Sequence, residues 1–162
     1  MNIKDLITEE GLASIYAGER KGCHSSRHWH NVGTVGLMLA YLEGADPTVP
    51  LLFSVYHDCR RSNDGYDPEH GLRASRLAIS HYALGHLKVN RTQLDKLVYA
   101  CVHHSDGLLS PNDLEVACCW DADRIDLVRV GFEVDASLLT TSSAKRLASD
   151  NVGIYRGVCD CG

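Results

Sequence analysis

No stretch of this chain approaches the ~20 consecutive apolar residues of a membrane span, so a bilayer protein is not expected. There is no basic block either. The 16 Lys and Arg are outnumbered by 21 Asp and Glu, for a net charge of -5. Duplex binders need a clustered cationic face, which removes extended nucleic acid from the expected partners. A small phosphorylated molecule stays in, because a local pair of arginines suffices for it. Cys-x-x-Cys pairs are absent although the chain has 7 cysteines. Cys118 and Cys119 are too close for an easy disulfide, and Cys101 and Cys119 fall on apolar helical faces, where cysteine serves as a small hydrophobe. Cys159 and Cys161 stand in a Gly-rich tail, short of the four ligands of structural zinc. Met1 to Leu6 lack the charged-then-apolar layout of a secretion signal. With the cysteines, this makes a reducing cytoplasm the expected compartment.

Repeats, low-complexity tracts, linkers and strand-like alternation are also missing. What is present is helical periodicity over 162 residues, long enough for a real core. The expectation is one all-α domain over residues 1–162. Its core spans about 24–132, with an N-terminal helix within 1–22 and a C-terminal helix and loose tail over 135–162. Thr8 reads as a helix start ahead of Leu12, Ile15 and Tyr16. A second helix covers His28 to Leu42, with Val32, Val35, Leu39 and Leu42 on one face and His28 continuing that stripe. Gly44 to Pro50 is expected as a turn, and a short third helix ends at His57, Asp58 and Cys59. Asp67 and Pro68 supply an N-cap and first-turn proline for a fourth helix, with His70 in its first turn. A fifth runs from Asn90 to His104, whose stripe points His104 inward. The sixth opens at Ser110 to Asp113 and carries Asp123, Leu127 and Val130 on one face, Asp121, Ile125, Val128 and Phe132 on another. Periodicity does not choose between the two aspartates. A last helix starts near Thr141 or Ser142.

The candidate chemistry lies where polar residues interrupt apolar faces. His57 and Asp58 end the run Val49 to Tyr56, and a buried imidazole beside a buried carboxylate costs several kcal/mol unless paired or bound to metal. A lone histidine at a helix start, such as His28, is usually solvated or capped. The apolar stripe beneath it reverses that preference. His28, His57, Asp58 and one of Asp121 or Asp123 offer two nitrogens and two carboxylates, a set that suits Mn, Fe, Ni, Co or Zn and suits Ca poorly. Arg60, Arg61 and Asn63 follow the His-Asp pair. Arginine forks match phosphate oxygens, though a solvated loop with Asp64 and Asp67 explains these residues equally well. His24 and Arg27 are near the first histidine in sequence. Cys59 has no oriented base beside it and is not read as a nucleophile.

The order His28, His57-Asp58, Asp123 resembles the HD superfamily of metal-dependent phosphohydrolases, over roughly residues 24 to 132. Residues His24 to Val32 resemble the first-ligand helix of small bacterial HD proteins, and His57 to Gly71 resemble their HD stretch with its Arg-rich loop. Trp120 to Leu127 resemble their last-ligand helix, in which the Asp after Ala binds metal; the resemblance therefore selects Asp123. It implies an all-α helical bundle with a central metal site formed by His28, His57, Asp58 and Asp123. Some HD proteins bind a second metal through additional histidines, and His70 and His104 are placed to serve, although a buried, hydrogen-bonded histidine lining the pocket explains His104 equally well; the resemblance thus implies one or two divalent transition ions per chain. The implied activity is hydrolysis of a small phosphorylated molecule, nucleotides included. Asp58, Asp126 and His104 are the candidate catalytic residues, and Arg60, Arg61 and Asn63 the substrate-binding ones. The alternatives are a di-iron oxygen-activating enzyme and a non-catalytic metal- or ligand-binding module.

Overall fold

The computed structural model describes residues 1–110 and 112–149. The Cys159 and Cys161 pair, and the loose tail expected around it, lie outside the described residues. Helix α1 (Ile3–Leu6) is capped by Asn2, and α2 (Glu9–Tyr16) by the Thr8 hydroxyl, which accepts the Gly11 N–H. The long α3 (Ser26–Glu43) ends at Gly44, in the left-handed conformation that glycine adopts without strain. Then come α4 (Thr48–Tyr56), α5 (His70–Ala83) and α6 (Arg91–His103), the last opened by a capping box between Asn90 and Gln93. Helix α7 (Leu114–Asp126) is capped by Asp113 and runs into a 3-10 turn, Leu127–Val130. A second 3-10 turn, Ala136–Leu138, leads to α8 (Ser142–Ser149). No strand forms among the described residues. One isolated antiparallel bridge, Ile7 to Leu87, ties the start of α2 to the end of α5.

Helix α3 packs between α4 and α7, α4 reaches α6, and α5 lies along α6. Their facing stripes form a contiguous core that includes Trp29, Leu39, Leu52, Phe53, Tyr56, Leu97 and Trp120. Each such side chain contributes about 1.5–3 kcal/mol by leaving water. The α5–α6 contact is close because position 71 has no side chain. A Cβ on Gly71 would stand 2.0 Å from the Cys101 carbonyl oxygen, which no real side chain permits. The alternating helix directions bring five helix ends together: the starts of α3 and α5 and the ends of α4, α6 and α7. Buried polar residues gather where these ends meet. No helix among the described residues is long and apolar enough to cross a membrane.

Three sequence expectations need correction. The stretch Gly44 to Pro50 is only half turn, since α4 begins at Thr48 and carries Pro50 in its first turn, where no N–H is needed. Asp67 does not cap α5. Its carboxylate accepts the Ser62 N–H and hydroxyl and the Arg73 guanidinium, pinning the preceding loop instead. Helix α7 stops at Asp126, so Leu127, Val128 and Phe132 are exposed rather than core.

Candidate metal centre

His57 closes α4 with its ring stacked on Phe53, centroids 4.7 Å apart, and its Nδ1 3.0 Å from the Phe53 carbonyl oxygen. The ring is fully buried and its Nε2 points to the junction of helix ends. There it meets His28 Nε2 from the first turn of α3 at 3.0 Å, Asp58 Oδ2 at 3.5 Å and Asp123 Oδ1 from α7 at 3.7 Å. His28 Nε2 is 3.5 Å from the same Asp58 oxygen and 3.3 Å from Asp123 Oδ1. Donors bound about 2.1 Å from one ion stand about 3.0–3.4 Å from one another, close to these separations. A second group lies beside the first. Asp58 Oδ1 is 3.2 Å from His70 Nε2 and 3.6 Å from His104 Nε2, and those two nitrogens are 2.7 Å apart. Asp58 therefore turns one oxygen to each group.

The backs of the rings give this arrangement its meaning. His28 Nδ1 faces Asp126 Oδ2 at 2.7 Å, His104 Nδ1 faces the Cys101 carbonyl at 2.7 Å, and His70 Nδ1 faces the Asp67 carbonyl. Each of the four rings thus has an acceptor behind it that fixes Nδ1 as the protonated nitrogen. Every Nε2 lone pair then faces the centre, pointed at another lone pair or a carboxylate oxygen. Such donors converge favourably only around positive charge, and two histidines with two carboxylates suit a divalent transition metal. The residues present fit the ion that the resemblance implies.

Protonation follows the same logic. Burial alone lowers the His28 pKa, but hydrogen bonds to Asp123, Asp126 and Asp58 outweigh it and raise it to about 10. His57 goes the other way, pushed down to about 4 by burial against the pull of Asp58 and Asp123. Burial raises Asp58, yet the surrounding histidines, His57 first, hold it well below the ordinary carboxylate range. Without metal, one proton on His28 supplies part of the positive charge that the donors demand.

A cavity of about 290 Å³ opens onto both groups, lined by His24, Arg61, Ser105, Gly107, Arg124, Leu127, Arg129 and Leu138 as well as His28, Asp58, His104 and Asp123. Of the three residues read as substrate-binding, the structure brings only Arg61 to it, with Nε 3.0 Å from Asp58 Oδ1. Arg60 points away and donates to the carbonyls of Cys59 and Ser14, tying the loop to α2. Asn63 is exposed and folds onto its own loop, accepting the Gly65 N–H. Asp126 is fully buried, with Oδ2 on His28 and Oδ1 on Asn31, so it stands behind a ligand and not in the cavity. As a proton relay it has no path to substrate; its geometry is that of a positioning carboxylate. Asp121 faces the opposite side of α7 and accepts the N–H groups of Thr140 and Thr141 and the Thr141 hydroxyl.

Arg124 and Arg129 were not singled out in the sequence. Arg124 sends one nitrogen to the Leu138 carbonyl at 2.5 Å and another to the Leu108 carbonyl at 2.7 Å, stapling two loops at the cavity mouth. Arg129 pairs with Asp126 at 3.2 Å and donates to the Cys23 carbonyl. The available signal was adjacency: Arg124 follows Asp123 directly, and the 3-10 turn after Asp126 swings Arg129 back to it.

No family model matches the chain, and no curated protein matches it. Among solved structures it is similar to the crystal structure of a predicted HD superfamily hydrolase from an uncultured Thermotogales bacterium. The TM-score is 0.68 at 20% identity, over 93% of this chain and 90% of that one. The fold is that of the HD superfamily. The HD bundle accounts for the meeting of helix ends that gathers His28, His57, Asp58 and Asp123 at one point. Identity this low carries the fold; the chemistry is argued from the residues themselves.

Proposed function

We propose that this protein is an HD-type metal-dependent phosphohydrolase for a small phosphorylated molecule. The observation that carries the reading is the sharing of Asp58 between two inward-facing donor groups, each with its histidines locked from behind. His28, His57, Asp58 and Asp123 would hold one ion, and Asp58, His70 and His104 a second. Ions held there supply Lewis acidity, which lowers the pKa of water and polarises a phosphoryl oxygen.

The chain supplies the rest. Arg61, Arg124 and Arg129 give the cavity wall cationic groups that suit a phosphate dianion. Arg124 is bonded to two carbonyl oxygens and, among the described residues, forms no ion pair with a carboxylate within 4.0 Å. Leu127 and Leu138 form an apolar part of the wall that limits water. The cavity is at the small end of ligand sites, which favours a compact phosphate ester, mononucleotides included. His104 belongs to the second donor group and is read as a ligand.

The test loads purified protein with Mn, Fe, Ni, Co or Zn and measures inorganic phosphate released from p-nitrophenyl phosphate, mononucleotides and small sugar phosphates. Metal-dependent release that is lost in Asp58→Ala supports the proposal. A fully loaded protein that releases none from any of them overturns it in favour of a metal-binding module. The second donor group also favours one other reading: two irons per chain with an oxygen-dependent absorbance change would identify oxygen activation instead.

A further inference from the structure

Leu127 and Leu138 line the cavity yet are 40% and 43% exposed, so the fold leaves two large apolar side chains in contact with water at its mouth. Both are held in place. Leu127 is the C-cap of α7, and its carbonyl accepts the Phe132 N–H at 3.3 Å. Leu138 closes the 3-10 turn that Asp135 caps, and its carbonyl accepts from Arg124. The same guanidinium donates to the Leu108 carbonyl, which brings the backbone of a third exposed leucine to this point. Single exposed leucines are ordinary on a surface. Several fixed around a cavity with convergent charges mark a surface for a ligand.

The cavity has two ends of opposite character. His28, Asp58, His104 and Asp123 line one, and the leucines the other. Leu127 follows Asp123 by four positions, on the same helix face and about 6 Å farther along the axis. The apolar wall thus begins one turn beyond the donor carboxylate. Among the described residues that line the cavity, Ser105 supplies the one side-chain hydroxyl. A polyol laid against this wall would set its hydroxyls on methyl groups and give up water for no partner. A hydrocarbon group would cover the leucines and gain by it. We propose that the alcohol portion of the substrate is apolar and that Leu127 and Leu138 are the residues that select it; this rests on the phosphohydrolase reading. The substrate is then an amphiphilic phosphate ester, with its dianion among Arg61, Arg124 and Arg129 and its hydrocarbon at the mouth. Such an ester ranks ahead of sugar phosphates, and of mononucleotides, whose ribose would meet the same wall.

The experiment compares benzyl phosphate with glycerol 3-phosphate on metal-loaded wild type, Leu127→Ser, Leu138→Ser and the double variant. Both are esters of primary alcohols, so their leaving groups differ little in intrinsic reactivity. Expected is a kcat/KM at least about 10-fold higher for benzyl phosphate in wild type, falling towards parity in the double variant with Tm and bound metal unchanged. Calorimetric binding of benzylphosphonate and 2,3-dihydroxypropylphosphonate, whose C–P bonds are not hydrolysed, should show the same preference without turnover. Equal kcat/KM for the two esters, or a benzyl preference that survives the double substitution, overturns this role and leaves the hydrolase reading standing. So does a dimer in sedimentation that the substitutions dissociate while the preference persists, which gives the leucines to a second copy of the chain. A loaded wild type that hydrolyses mononucleotides or sugar phosphates but not benzyl phosphate overturns it likewise. One that hydrolyses no ester at all overturns both readings.

Discussion

His28 and His57 meet through their Nε2 atoms, 3.0 Å apart, while Asp126 and the Phe53 carbonyl hold the opposite nitrogens. Replacing either ring removes one donor from the first group only. His28→Ala and His57→Ala should therefore lose the first ion and keep the second, and His70→Ala and His104→Ala the reverse. Asp58→Ala should lose both. Elemental analysis after gentle purification reads this directly, and equal loss in all five variants would contradict the division.

Asp126→Asn keeps the shape behind His28 but withdraws the negative charge. Metal affinity should fall about 10–100-fold, measured by competition with a chromogenic chelator, with the helical content unchanged. An affinity equal to wild type would mean that the Asp126–His28 contact does not orient the ligand.

Asp121→Ala tests the aspartate two residues before the proposed ligand. It leaves the N–H groups of Thr140 and Thr141 without their acceptor, which costs about 1–3 kcal/mol. The expected outcome is a lower Tm in thermal melts with full metal content. Loss of metal in proportion would show that the two aspartates do not act separately.

The adjacent arginines should also part company. Arg61→Ala should raise KM for a phosphate ester and weaken inorganic phosphate as an inhibitor, because Arg61 reaches the cavity. Arg60→Ala should leave KM alone and lower Tm, because it anchors α2 through the Ser14 carbonyl. Steady-state kinetics beside thermal melts separates the two effects.

His81 gives the protein an acid sensitivity away from the metal centre. Burial, with His86 and Arg60 adding positive charge nearby, lowers its pKa from the usual 6.5, and its Nδ1 lies 2.8 Å from the Tyr56 hydroxyl. The folded state thus binds this proton less readily than the unfolded chain. The stabilisation is present above about pH 6.5 and is lost as pH falls through the lowered folded value. In chelated protein, His81→Gln should flatten the fall in Tm between about pH 7 and 5. A slope identical to wild type would exclude His81 as its source.

Much of the fold was legible because local signals agreed. Thr8, Asn90 and Asp113 are polar caps directly ahead of apolar stripes, and the structure starts helices at each. His57 and Asp58 stood out because they interrupt a buried run. Asp121 and Asp123 were inseparable because both have apolar neighbours at helical spacing, and what distinguishes them is the Thr140–Thr141 backbone, distant in sequence. Arg60 and Arg61 were indistinguishable for a related reason: which of two neighbours faces the cavity depends on how the turn after Asp58 winds. His24 needed Asp64, forty positions away, before its ring had a direction.

Gly71 has a consequence for how such a site diverges. It follows His70 directly, and its missing side chain lets the start of α5 settle against the end of α6, where His104 lies. One added methyl group would wedge the helices apart and separate His70 from His104 while leaving every donor in the sequence. A lineage could thus lose the second donor group by a single-codon change at a position with no metal-binding atom. A motif search that scores only histidines and aspartates would not register the change.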